Sequence, residues 1–342
     1  MEVEDYHMCT QISEDININQ NNSGQKAVFS RDDLWPQNSV IKIGFIGTGD
    51  GIRKKNFYLS GKDPLQYIIQ SDPKLSTIEI IKMVINERIK PLVNLKFKFV
   101  NYSDADIRIS FEKKGTYSKV GKSALSWPKA KATMNFEWLS VSTILHEFGH
   151  AIGMEHEHQS PFSTIKWNEP KVYEYFSKKY GWDEMDVDLN ILFQSDEKNT
   201  NSSIFDPLSI MLYYYPAELT LDNVGTDETW ILSGYDVKWI TETYPKDESD
   251  DDYISAEDFY LKTYKKTLAA SMAESDMLAG RITDSSFAWW KTLLIVISII
   301  IIIIIIAVAI KTFYKNKTQS YQRIRNNYPL TRAGGVMGLK RN

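Results

Sequence analysis

Apolar and polar positions follow two rhythms along the first half of the chain. Residues 40–46 (VIKIGFI) form a short apolar run closed by Gly47, which reads as a buried strand. Within 76–90, Ile78, Ile81, Val84, Ile85 and Ile89 recur at helical spacing, and Pro91 supplies a stop. Leu95, Phe97 and Phe99 alternate through 95–100, and 107–111 alternates again, so both stretches are expected as strands. Residues 120–125 and 132–136 are two shorter strand candidates. A long helix is expected next, with Ser140 as its N-cap. Residues 166–188 read as a helix plus loop whose aromatics (Trp167, Tyr173, Tyr175, Phe176, Trp182) pack a core, and 220–229 as a polar loop. A last helix covers 233–244 and stops at Pro245.

The flanks have a different texture. Residues 1–33 are rich in Asn, Asp, Gln and Ser and lack an apolar stretch behind basic residues, so they are expected as a disordered arm or a pro-segment. Residues 246–286 open on an acidic linker (KDESDDD) and continue into a stretch with helical character, expected as a stalk or partner-binding helix. Ser255 and Asp258 are placed to cap it. Residues 292–310 carry no charge and are rich in Ile. A bilayer core is spanned by about 20 residues of helix, and backbone in lipid must satisfy itself, so 287–310 is expected as a single transmembrane helix. Trp289 and Trp290 then sit at an interface, and the tail 311–342, basic and without acids, is expected in the cytosol. The side of the membrane taken by the large domain stays open, because an anchor inserted after synthesis would leave it in the cytosol.

Composition narrows the classes. The chain has 342 residues, enough for one or two cores, and a net charge of −4, so no nucleic-acid partner is expected. The single cysteine, Cys9, excludes an internal disulfide, as is usual in reducing compartments. Its neighbours match no inhibitory motif.

The chemistry is concentrated in 145–158 (LHEFGHAIGMEHEH), which holds four of the five histidines. On a helix, His146 and His150 share a face and can offer their imidazoles to one ion. Glu147 lies one residue on, close enough to hold a water at that ion without ligating it. Gly153 suits the end of the helix, since glycine turns left-handed at little cost. His156 then returns as a third nitrogen. Three protein ligands and one open position describe a catalytic zinc site. His158 has no slot in the pattern and reads as a neighbour of the site or a surface residue.

This H-E-x-x-H-x-x-G-x-x-H stretch resembles that of the metzincin zinc metallopeptidases, and the continuation H-E-H-Q-S-P resembles the astacin-like branch. Downstream, Ser209-Ile210-Met211-Leu212-Tyr213 is similar to the methionine turn of that branch. The resemblance covers about 34–245. It implies an α+β fold of two subdomains: a twisted mixed sheet with the active-site helix above, and a mainly irregular or helical part below. It implies one Zn2+ per chain held by His146, His150 and His156, with Met211 and Gly153 shaping the site from beneath. It makes Glu147 the catalytic base and Tyr213 either a further metal ligand or a transition-state stabiliser. Substrates are then proteins or peptides, and one strand above the cleft pairs with an extended segment of them. Whether 120–125 or 132–136 supplies that strand is not evident from the residues. Secreted relatives carry disulfides, and this chain departs from them. With the anchor, the whole reads as a membrane-bound zinc endopeptidase with the lipid bilayer as a second partner. The alternatives are a catalytically silent zinc-binding adhesion or receptor domain, or a structural membrane protein.

Overall fold

The computed structural model describes residues 33–52, 63–112, 114–195 and 204–280. Its strands are β1 (Val40–Phe45), β2 (Lys96–Phe99), β3 (Ile107–Ser110), β4 (Tyr117–Ser118) and β5 (Met134–Asn135). They form one mixed sheet in the order β2-β1-β3-β5-β4. All neighbours run parallel except β4, which lies antiparallel to β5 with Tyr117 opposite Asn135. Ile41 and Ile43 are fully buried, which is what the apolar run of β1 dictates for a strand covered on both faces.

The two short strand candidates fare differently. Residues 120–125, expected as a strand, wind into a tight 3-10 turn, Gly121–Leu125. Gly121 has φ +47°, and a β-carbon there would run into the Asp33 carbonyl oxygen, so the turn requires glycine at this position. The edge strand is instead Tyr117–Ser118, and the segment 132–136 contributes the interior strand β5.

Helix α1 (Pro64–Ser71), which no apolar periodicity announces, is capped by Asp63 and has Pro64 in its first turn. Asp63 is buried and takes a two-pronged hydrogen bond from Arg88. Helix α2 (Thr77–Val84) opens on a reciprocal capping box between Ser76 and Glu79. It continues as a wide π-turn, Ile85–Ile89, and a 3-10 turn, Lys90–Leu92. Pro91 lacks an N–H and crowds the preceding turn, which accounts for the change in winding. Its buried face includes Ile80 as well as Ile81, Val84, Ile85 and Ile89.

Helix α3 (Val141–Ala151) carries the histidine motif and starts where expected, with Thr143 N–H donating to Ser140 Oγ at 3.0 Å. Its apolar side, Ile144, Leu145 and Phe148, is fully buried in the core built from the sheet and α2. Below it, α4 (Glu169–Tyr180) and α5 (Glu184–Val187) pack a second core around Val172, Phe176, Val187 and Ile191. The expected packing role of Trp167, Tyr173, Tyr175 and Trp182 is met there. The polar loop 220–229 is tied down at both ends: Thr220 bridges to Trp167, and Thr226 bonds the backbone of Tyr213 and Tyr215.

Helix α6 (Gly234–Thr243) is capped by Ser233 through a capping box with Asp236. Residues 246–280 do not stand off as a stalk. Helices α7 (Ala256–Tyr264) and α8 (Leu268–Leu278) fold back on α6, and Phe259 and Tyr260 are buried in the main core. The break between them falls at Lys265, φ +57°. Among the described residues no helix is long and apolar enough to cross a membrane. The expected transmembrane helix 287–310, the basic tail, and Cys9 with most of the 1–33 arm all lie outside the described residues.

Candidate metal centre

Three side chains spread over eleven residues of sequence meet at one point. A ligand nitrogen from each of His146, His150 and His156 lies within 4.8 Å of the others. The first two leave the same face of α3. The helix ends at Ala151, and Gly153, with φ +108°, turns the chain back. The turn is closed by the Gly153 N–H to the His150 carbonyl, 2.8 Å, and the Met154 N–H to the Gly149 carbonyl, 2.8 Å. His156 follows at the head of a 3-10 turn, Glu157–Gln159.

The imidazoles are oriented from behind. His146 Nδ1 lies 2.8 Å from the carbonyl oxygen of Ile210, and His150 Nδ1 lies 2.7 Å from that of Met154. A carbonyl only accepts, so each Nδ1 carries the proton and each Nε2 is left with its lone pair inward. His146 Nε2 is buried without a hydrogen-bond partner. His150 Nε2 faces His156 Nε2 at 3.1 Å. Burial, reinforced at His150 and His156 by the neighbouring histidines, resists protonation. It pushes His146 down to about 4, His150 to about 3, and His156 well below its usual value. Converging neutral imidazoles, that of His146 with an orphaned Nε2, fit a divalent cation that prefers nitrogen, and the tetrahedral three-plus-one zinc arrangement suits the donor set.

Glu147 is buried on α3, between the two helix ligands in sequence. Met211 and Tyr213 lie on the turn 209–213 beneath the motif. That turn is held by Asp236: Ser209 Oγ–H donates to one oxygen at 2.7 Å, and the Ile210 N–H to the other at 2.8 Å. Asp236 sits beside a second buried acid, Asp206, which accepts from Ser233 Oγ and Ser275 Oγ, each at 2.5 Å. Burial first, and then the charge of Asp206, pushes Asp236 up to about 7. A further clamp is Glu157, whose N–H donates to the Met211 carbonyl at 3.0 Å and whose carboxylate accepts the Asp206 N–H at 2.7 Å.

The Tyr213 ring lies against the site, its centroid 4.3 Å from that of His156 and 4.6 Å from that of His158. The structure thus brings together His146, His150, His156, Glu147's helix, Gly153, Met211 and Tyr213. His158 is fully buried beside the site and not on the surface. The parts played by Gly149, Asp206 and Asp236 are not readable from the sequence alone. Only Asp236 has a local signal, as the third residue after the cap in S-G-Y-D (233–236).

Comparison with known proteins agrees with this geometry. The family model for the Astacin peptidases matches residues 54–223. A solved structure of myroilysin is 31% identical, with a TM-score of 0.54, over 65% of this chain and 100% of its own. A crystal structure of myroilysin gives 30% identity and a TM-score of 0.43 over 66% of this chain and 93% of its own. High choriolytic enzyme 1, a hatching enzyme zinc-protease from the medaka fish Oryzias latipes, is 16% identical, with a TM-score of 0.39, over 64% and 96%. No match was found among curated protein sequences.

Proposed function

Because the chain belongs to the astacin family of peptidases, we propose that it is a membrane-anchored endopeptidase in which Glu147 transfers the proton and Tyr213 stabilises the reacting carbonyl. It is a zinc metalloendopeptidase, and His146, His150 and His156 form its zinc-binding triad. The observation that carries the reading is the inward lone pair on each α3 histidine, fixed by the Ile210 and Met154 carbonyls.

Zinc, when bound, polarises the scissile carbonyl and brings the pKa of a water towards neutrality. The residues of the chain do the rest. Glu147 takes a proton from the attacking water as its oxygen bonds to the carbonyl carbon. The same carboxyl then delivers that proton to the leaving nitrogen as the C–N bond breaks. Tyr213 donates a hydrogen bond to the oxygen on which negative charge collects, an effect worth about 10²–10³ in rate when the donor is pre-positioned. Met211, Phe148 and Met154, which flank the ligand histidines in sequence or in the turn beneath them, are buried in the main core. A peptide lying along the free edge of β4 would be bound largely through its main chain, leaving subsite preference to the surrounding loops.

The anchor is the apolar run 292–310 within the expected helix 287–310, with the basic tail 311–342 on the cytosolic side. The catalytic domain then faces away from the cytosol. Protease added to intact membranes tests this: the 34–245 region should be digested only from the non-cytosolic face.

Replacing Glu147 with Gln tests the chemistry. Zinc should stay at one per chain while peptide hydrolysis is abolished. Full activity in Glu147→Gln would remove Glu147 from its role. A zinc-loaded wild-type protein that cuts no peptide would leave a binding domain instead.

A further inference from the structure

We propose that His158 is a positioning residue that holds the ring of Tyr213 in its working place. This rests on the role proposed above for Tyr213.

Three rings form a triangle beside the metal centre. Tyr213 lies 4.3 Å from His156 and 4.6 Å from His158, and the two histidines are 5.3 Å apart, centroid to centroid. Tyr213 is nearly parallel to His158, at 26°, but tilted by 52° to His156. The flat face of Tyr213 therefore rests on His158. Offset-stacked rings at this separation attract beyond the area they bury. His156 is one of the three histidines that would hold the metal. His158 has no part in the metal's ligand set and is available to serve Tyr213.

His158 is itself fixed from behind. Its Nε2 lies 2.8 Å from the Asn190 carbonyl, which only accepts, so Nε2 donates. The next residue does the same: Gln159 Nε2 donates to the Leu189 carbonyl at 2.8 Å. Leu189 and Asn190 belong to the π-turn Asp188–Leu192 that ends α5, where carbonyls lack helical partners. Ser195 N–H closes the strap on the Gln159 carbonyl at 3.0 Å. Two adjacent side chains thus grip two adjacent carbonyls of the lower subdomain. The ring plane of His158 cannot rotate without breaking its hydrogen bond, and Tyr213 is laid on that plane.

The test uses the full chain, zinc-loaded, on a fluorogenic peptide that the unaltered protein cleaves. His158→Phe keeps the ring and loses the donor, His158→Gln keeps a donor and loses the ring, and His158→Ala loses both. His158→Ala and His158→Gln should each lower kcat about tenfold with KM changed less than about twofold, since a transition-state contact is lost. His158→Phe keeps the ring but not its hydrogen bond, so it should recover part of that loss, and all three should retain one zinc per chain. In a Tyr213→Phe background, His158→Ala should cost nothing further. Four results would overturn the proposal: independent, multiplicative losses in the double variant, a KM effect with kcat intact, no recovery with His158→Phe, or loss of zinc from His158→Phe. If Tyr213→Phe alone keeps full kcat, the reading of Tyr213 fails instead, and this inference falls with it. A variant that merely misfolds would lose zinc and its thermal transition together, and His158→Phe, of similar volume, guards against that.

Discussion

A β-carbon on Gly149 would sit 2.5 Å from the sulfur of Met211. The methionine turn is therefore packed directly against the helix that carries two ligands, and only glycine leaves room. Met154 sulfur would lie 3.3 Å from the same point, so Met211 has no easy retreat.

Gly149→Ala should cost about 1–3 kcal/mol, the usual range for overpacking a filled core, and should weaken zinc binding by moving the turn that holds His146. Met211→Ala alone should also destabilise, by leaving a cavity. Together the two should cost less than their sum, because the smaller side chain makes room for the added methyl. Thermal unfolding of the four proteins measures the coupling. Strict additivity would mean the two residues do not press on each other.

Asp236 accepts hydrogen bonds from Ser209 and Ile210 at the methionine turn and from the Ser233 N–H at the α6 cap. Asp236→Ala would strand buried donors and should destabilise the domain by about 3 kcal/mol. Asp236→Asn keeps one acceptor oxygen, which at the Oδ2 position would still take the Ile210 and Ser233 N–H groups, and should recover part of that. Chemical denaturation of both variants decides it.

Acid should act on the metal-free protein with a definite sign. His146 and His158 are held down to about 4 when folded. Between that value and the ordinary histidine value near 6.5, the unfolded chain binds more protons, so stability falls as pH falls through this window. Asp236 works the other way. Raised to about 7, it is protonated more readily in the folded protein, and its contribution declines as pH rises from about 4 to 7. The several histidines outnumber it, so net loss on the acid side is expected in denaturation curves of the metal-free protein. Asp236→Asn should steepen that loss.

Zinc retention should follow the same histidines. Because the ligands are already neutral well below pH 6.5, affinity should change little between about pH 5 and 8 and collapse only near or below 4. Competition with a chromogenic chelator across pH measures it. A decline beginning near 6.5 would mean solvent-exposed ligands.

A chain ending after Pro245 should unfold at lower temperature than one ending after Gly280. The shorter chain loses Phe259 and Tyr260 from the core and the Ser275 hydrogen bond from Asp206. Equal transition temperatures would show that α7 and α8 add nothing.

The metal centre is legible because its five motif positions are close in sequence and each has one chemical reason to be there. Gly153 announces its turn, Ser140 its cap, and Ile41 and Ile43 their strand. What stays hidden depends on distant partners. Nothing near Gly149 reveals that Met211, 62 positions later, will press on it. The 120–125 segment has acceptable strand residues, and its turn at Gly121 is packed against Asp33, nearly ninety positions earlier in the chain. Helices α7 and α8 read as a stalk because their contacts run back to α6 and Asp206, not to each other's sequence neighbours.

The hydrogen bond from Ser275 to Asp206 has a mechanical meaning. Asp206 also takes Ser233, the cap of α6, whose Asp236 grips Ile210, and Ile210 in turn holds His146. A displacement of α8 is therefore passed, through a short series of buried hydrogen bonds, to His146. Helix α8 and the grip on His146 stand on one line of hydrogen bonds.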